Sequence, residues 1–235
     1  MTFVFSPQPT SSVAVAGSTD RFPVRRIFCV GRNYVAHARE MGKDPERDPP
    51  FFFTKPADAV FDAGPSDHAE IPYPPGTKNF HYEIELTVAI GKEGRNVSPE
   101  AALGLVYGYA VSIDLTRRDL QLEAREQGRP WDWGKAFDLS AAMGEIHPVD
   151  AIGHPNSGRI WLSVDKTTKQ DSDISKLIWP VADIIAATSR SMTHRPGDLI
   201  MTGTPEGVGP IEPGQLVEGG IDGLSGVSLR VSGPA

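Results

Sequence analysis

Apolar residues in this chain fall into short runs separated by glycine and proline, a pattern that predicts many short strands joined by tight turns. Ile27-Phe28-Cys29-Val30 follows Arg26 and stops at Gly31, so the spacing predicts a strand over Arg26 to Val30. Further strands are predicted over Phe51 to Thr54, Phe80 to Gly91, Leu105 to Ile113, Ile160 to Val164, Asp198 to Thr202 and Val227 to Val231. Helical patterns are fewer. They cover Tyr34 to Met41, ending at Gly42; Ala101 to Leu105, opened by Ser98-Pro99; Leu115 to Gln127, closed by Gly128; and a segment around Val181 to Ala187. The stretch between Val164 and Val181 and the stretch from Pro56 to Thr77 both read as turn-rich. The whole is an α+β, strand-rich chain.

Residues 1–20, with Pro7, Pro9 and Gly17, read as an extended arm ahead of a single domain over residues 21–235. At 235 residues the chain is long enough for one sizeable core, and no charge block, repeat or low-complexity tract divides it.

The candidate chemistry begins in Phe80 to Gly91. In a strand successive side chains alternate faces, so Glu83 and Glu85 share a face while Ile84 and Leu86 take the other. Paired carboxylates of this kind suit a hard divalent cation such as Mg²⁺. Alone, they fit a solvated face of an amphipathic strand equally well. Asp114 ends the strand after Leu105 and is the natural third ligand, although by itself it also reads as a cap for the helix that follows. His37 and Glu40 stand at i and i+3 of a predicted helix, where a carboxylate can orient an imidazole as a general base. On a solvated helix such a pair is common. Arg117, Arg118, Gln121 and Arg125, followed by Lys135, give an otherwise acidic chain a local basic face that suits a small anionic ligand, with pairing to Asp119, Glu123 and Glu126 as the plainer account. Gly203 to Gly209 is dense in glycine and could cradle an anion, but it lacks the Gly-Lys-Ser/Thr of a P-loop.

Charge and composition narrow the partners. Lys and Arg total 23 against 30 Asp and Glu, a formal charge of −7, which disfavours nucleic acid and anionic membranes. No apolar run approaches a membrane span and no basic, apolar leader opens the chain, so a cytoplasmic protein is expected. A single cysteine, Cys29, excludes an intrachain disulfide and reads as a packed strand residue.

Five ordered blocks carry a resemblance. They are Gly31-Arg32-Asn33-Tyr34 with His37 and Glu40; Glu83-Ile84-Glu85; Asp114 with Arg118-Asp119-Leu120-Gln121; Gly134-Lys135 with Asp138; and Pro196-Gly197-Asp198-Leu199-Ile200 leading to Gly203-Thr204-Pro205. Together they resemble the fumarylacetoacetate hydrolase family from about residue 26 to the C-terminus. Pro50-Phe51-Phe52-Phe53, Lys55-Pro56 and Thr116-Arg117-Arg118-Asp119 resemble its branch that cleaves fumarylpyruvate in bacterial gentisate breakdown. The resemblance implies a mixed β-roll, a homodimer, and a Mg²⁺ or Mn²⁺ ion, with Ca²⁺ possible, on Glu83, Glu85 and Asp114. It further implies His37 and Glu40 as the water-activating dyad, Lys135 as a catalytic cation, and Arg118, Gln121 and Thr204 as substrate contacts. Arg117 is a second candidate for the far carboxylate of an acylpyruvate. Oxaloacetate decarboxylation, or isomerisation of an unsaturated keto diacid, is the alternative at the same site. A non-catalytic small-acid or Ca²⁺-binding protein is the alternative outside enzymes.

Overall fold

The computed structural model describes residues 2–35, 49–66 and 68–234. The helix expected over Tyr34 to Met41, and with it His37 and Glu40, lies almost wholly outside these residues.

The apolar runs pair as expected. Ile84–Ile90 is buried at every position because both its faces meet apolar layers. It lies antiparallel to Val106–Asp114 on one side and to Asp198–Met201 on the other, and the latter pairs in parallel with Arg26–Gly31. Phe51–Lys55 extends this sheet at one edge; Ala141–Met143, Val60–Asp62 and the short His147–Pro148 complete eight strands. A second, five-stranded sheet runs Thr167–Asp173, Arg159–Val164, Leu216–Ile221, Val227–Pro234, Ala69–Tyr73. The result is a strand-rich fold with a few short helices.

The period of two in the strands separates two apolar layers. Phe28, Ile84, Leu86, Val88, Val111, Ile113 and Ile200 enter the larger core with Leu162, Val217 and Leu229 of the second sheet. Ile27, Cys29, Ala89, Ala110, Leu199 and Met201 enter a smaller core on the opposite face, joined by Val13 and Val15. Residues 12–15 are therefore not part of an extended arm. Ser12–Ala14 pairs with Arg21–Pro23 as a hairpin, and Val13 is fully buried.

Four other expectations change. The stretch from Pro56 to Thr77, read as turn-rich, carries the strands Val60–Asp62 and Ala69–Tyr73. Phe80 to Gly91 is not one strand. Phe80–Tyr82 belongs to a separate three-stranded sheet with Thr116–Arg117 and Gly209–Pro210, and the chain changes sheets at Glu83. The helix after Asp114 begins only at Arg118, with Arg117 at its cap position, so Asp114 does not cap it. The span after Val164, read as turn-rich, contains the strand Thr167–Asp173. Asp165 and Lys166 have φ of 47° and 66°, which lets a tight hairpin turn return the chain at that point.

Asp198 anchors the sheet centre. Its buried carboxylate accepts from Arg25 Nη1 at 2.8 Å, Arg26 Nε at 3.1 Å and the Arg195 N–H at 3.0 Å. Burial alone would raise its pKa, but the nearby His194 ring and the hydrogen bonds from Arg26, Arg25 and the Arg195 amide win and hold it at about 2, against 3.8 for an ordinary aspartate. A depressed folded-state pKa contributes stability above the unfolded value, and that stability is lost as pH falls through the folded one. Asp198→Asn is expected to cost about 1–2 kcal/mol at pH 7, after allowance for the partly exposed arginines. Urea unfolding as a function of pH should show the gap from the parent closing between about pH 4 and pH 2.

Candidate metal centre and active site

Register brings the three carboxylates together. Ile84 lies opposite Ile113 and Glu85 opposite Ser112, so Glu83 falls beside Asp114, whose N–H donates to the Glu83 carbonyl at 2.8 Å. One carboxylate oxygen from each of Glu83, Glu85 and Asp114 lies within 4.8 Å of the others, and all three residues are buried. Glu85 and Asp114 occupy the face opposite the larger core, while Ile84 and Ile113 fill that core.

Three cations from the described residues surround this group. Lys135 Nζ donates at 2.7 Å to Glu83 Oε2, Asp114 Oδ2 and Thr116 Oγ1. Lys55 Nζ pairs with Asp114 Oδ1 at 2.9 Å and donates to the Leu115 and Lys135 carbonyls. Arg118 pairs with Glu83 Oε1 and donates to Gln121 Oε1, which leaves the Gln121 amide N–H groups for a ligand. Burial alone would lower the Lys135 pKa, but Asp114 and Glu83 override it and the pKa is raised, so the residue stays an ammonium. Burial, Asp114 and Glu83 push the Glu85 carboxyl well above the usual range, with Lys135 and the Gly203 N–H at 2.7 Å opposing them. Among the described residues Glu85 forms no ion pair. An all-oxygen, buried, trianionic group of this size fits a hard divalent ion.

Neighbouring segments hold the cavity in shape. It measures about 20 Å³, room for little more than one water-sized guest. Its lining includes Glu83, Glu85, Arg118, Gln121, Lys135 and Thr204. Arg32 and the Phe53 and Trp131 rings form the rim shared with an outer cleft of about 610 Å³. Arg32 has φ 61°, in the left-handed region, and the next residue secures it: Asn33 Nδ2 donates to the Thr202 and Trp179 carbonyls, and its Oδ1 accepts the Trp179 N–H. Gly203 presses against this segment, with φ +99° and a position where a Cβ would lie 2.7 Å from Asn33 Cβ.

Seven of the residues singled out from sequence thus meet in one place: Glu83, Glu85, Asp114, Lys135, Arg118, Gln121 and Thr204. Arg117 does not join them. Its guanidinium lies 4.3 Å over the Phe137 ring and lines a different cleft with Leu120 and Trp133. Two participants were missed. Lys55 sits inward in an aromatic strand, a position where an unexplained lysine signals a buried partner. His81, next to the glutamates, donates from Nε2 to Asn79 Oδ1 at 2.8 Å, which leaves Nδ1 to accept from Arg118 Nε at 3.4 Å. Burial, then Arg118, lowers its pKa to about 4, so it is a neutral acceptor that orients the guanidinium.

A family model described as Fumarylacetoacetate (FAA) hydrolase C-terminal matches residues 26–232. Fumarylpyruvate hydrolase of a Ralstonia species is 48% identical over 185 residues, covering 79% of this chain and 93% of that protein. The crystal structure of fumarylpyruvate hydrolase from Pseudomonas aeruginosa in complex with Mn²⁺ and pyruvate superposes with a TM-score of 0.97 at 54% identity, covering 98% of this chain and 99% of that one. A mitochondrial oxaloacetate tautomerase of rice is 40% identical over 207 residues, covering 88% of this chain and 89% of that protein.

Mn²⁺ is expected to raise the melting temperature by binding the folded state, by about 2.7 kcal/mol of stability at a hundredfold excess over its Kd. Glu85→Gln should abolish that rise in differential scanning fluorimetry. An unchanged response in the variant would place the ion elsewhere.

Proposed function

This chain belongs to the fumarylacetoacetate hydrolase family, and from that premise we propose that it is a metal-dependent hydrolase cleaving the carbon–carbon bond of an acylpyruvate, fumarylpyruvate to fumarate and pyruvate. The observation that carries the reading is the Glu83, Glu85 and Asp114 group flanked by an ammonium and a guanidinium, in a chain 48% identical to one fumarylpyruvate hydrolase and 54% to another. Glu83, Glu85 and Asp114 would hold Mg²⁺ or Mn²⁺, which would supply Lewis-acid stabilisation of negative charge developing on substrate oxygens.

The chain's own residues then divide the work. His37, oriented by Glu40, takes a proton from water, and the resulting hydroxide adds to the acyl carbonyl remote from the carboxylate to give a tetrahedral oxyanion. That oxyanion collapses to the carboxylic acid as the carbon–carbon bond breaks, the acid releases its proton to solvent as fumarate, and the electron pair leaves with pyruvate as its enolate. Lys135, held protonated by Asp114 and Glu83, provides positive charge beside the enolate oxygen. Return of the proton from His37 to the enolate carbon completes pyruvate. Arg118 and Gln121 present N–H donors to the substrate carboxylates, and the outer cleft at Arg32, Phe53 and Trp131 has room for the acyl chain. The same reading makes the protein a cytoplasmic homodimer of gentisate-type aromatic breakdown, supported by the sequence resemblance to that branch.

A second reading, tautomerisation or decarboxylation of oxaloacetate, is supported by the rice tautomerase and by an oxaloacetate decarboxylase of Dictyostelium discoideum, 40% identical over 200 residues. It has no need of a base that activates water, so the His37 and Glu40 pair favours hydrolysis.

Two substitutions separate the roles. With fumarylpyruvate and Mn²⁺, equimolar fumarate and pyruvate are expected. His37→Ala should keep Mn²⁺ binding and lose about 10²–10⁴-fold in kcat, the range for a general base. Glu83→Ala should lose both. Near-normal turnover by the His37 variant would remove the dyad from the mechanism.

A further inference from the structure

Gln170 lies in the polar strand Thr167–Asp173 and is fully buried, although nothing in the sequence pattern marks it. Its amide spans two parts of the site. Oε1 accepts the Ile84 N–H at 3.0 Å, at the corner where the chain leaves one sheet for another between Glu83 and Glu85. Nε2 donates at 2.9 Å to Thr204 Oγ1 and at 2.9 Å to the Pro205 carbonyl, with the Glu206 carbonyl farther off at 3.4 Å. The amide can stand only one way round, because a flip would set its NH₂ against the Ile84 N–H and its oxygen against two carbonyls. The loop is pressed onto the same strand, since a Cβ at Gly207, φ +90°, would lie 2.2 Å from the Lys169 carbonyl oxygen.

This arrangement fixes the polarity of a hydroxyl. Thr204 Oγ1 accepts from Gln170, so its own proton is left to donate, and Thr204 lines the carboxylate cavity. We propose that Gln170 is a positioning residue that holds Thr204 as a hydrogen-bond donor toward an α-keto acid oxygen in the cavity, while closing the sheet corner that carries the two glutamates. The proposal rests on the acylpyruvate reading of the site. Gln170 itself does not line the cavity and acts only through Thr204.

A double-mutant cycle on pyruvate binding tests it, by calorimetry at Mn²⁺ concentrations that saturate each variant. Gln170→Met and Thr204→Val should each weaken pyruvate about tenfold, the double variant no more than either alone, and Thr204→Ser should bind within about threefold of the parent. A merely structural glutamine would lower the melting temperature without changing pyruvate affinity, or its loss would add to that of Thr204→Val; either result overturns the proposal. Should Gln170→Met fail to fold, Gln170→Glu keeps an acceptor for Ile84 and turns the Thr204 proton away from the cavity; unchanged pyruvate binding by that variant is equally decisive against it. If the parent protein binds no pyruvate, the acylpyruvate reading fails first and the inference falls with it. Binding by the parent with no effect at Gln170 removes the inference alone.

Discussion

Three carboxylates buried within 4.8 Å of one another repel strongly, and the structure around them is arranged to offset that repulsion. Lys135 bridges Glu83 and Asp114, Lys55 supports the far side of Asp114, Arg118 holds Glu83, and a backbone N–H from Gly203 meets Glu85. Burying so many charges is weak evidence for stability, because a packed apolar cluster of equal volume would often be at least as stable. Such an arrangement makes physical sense where the carboxylates hold a cation and the flanking cations meet an anion. The secondary structure serves the same end: pairing of Ile84–Ile90 with Val106–Asp114 sets Glu83 beside Asp114, and the change of sheet at Glu83 turns its side chain into the cavity with Glu85.

Much of this was legible in the sequence where apolar periodicity and chemistry coincide. Leu105 to Ile113 alternates cleanly and ends at Asp114, so strand and ligand are both visible, and the observed strand, Val106–Asp114, differs by one residue at each end. Asp198 to Thr202 and Arg26 to Val30 are equally plain because their side chains fill two apolar layers. What failed had a different physical origin. Thr167–Asp173 is an edge strand of mostly exposed polar residues, so no hydrophobic pattern announces it, and its one fully buried residue is a glutamine that forms hydrogen bonds. The break at Glu83 leaves no mark in composition because both flanking segments have strand character. Arg117 and Arg118 are adjacent and chemically alike; only the helix start decides that Arg118 faces the glutamates and Arg117 the Phe137 ring.

The site residues fall into a graded set. Glu83, Glu85 and Asp114 form the anionic centre; Lys135 and Arg118 direct donors into it and Thr204 lines it; Lys55 bonds the Lys135 carbonyl, His81 meets Arg118 and Gln170 meets Thr204, while Asn33 ties the Arg32 segment to Thr202. The outer cleft shares Arg32, Phe53 and Trp131 with this centre, so the small chamber against the carboxylates opens on a much wider space. Preorganised donors of this kind cost little reorganisation when charge develops on the substrate.

The most direct measurement is anomalous diffraction at the manganese edge from crystals grown with Mn²⁺. The account predicts one strong peak bonded to an oxygen of each of Glu83, Glu85 and Asp114, with Lys135 still against the carboxylates. A protein saturated with Mn²⁺ that showed no peak between those three residues, or an ion held by other groups, would contradict it.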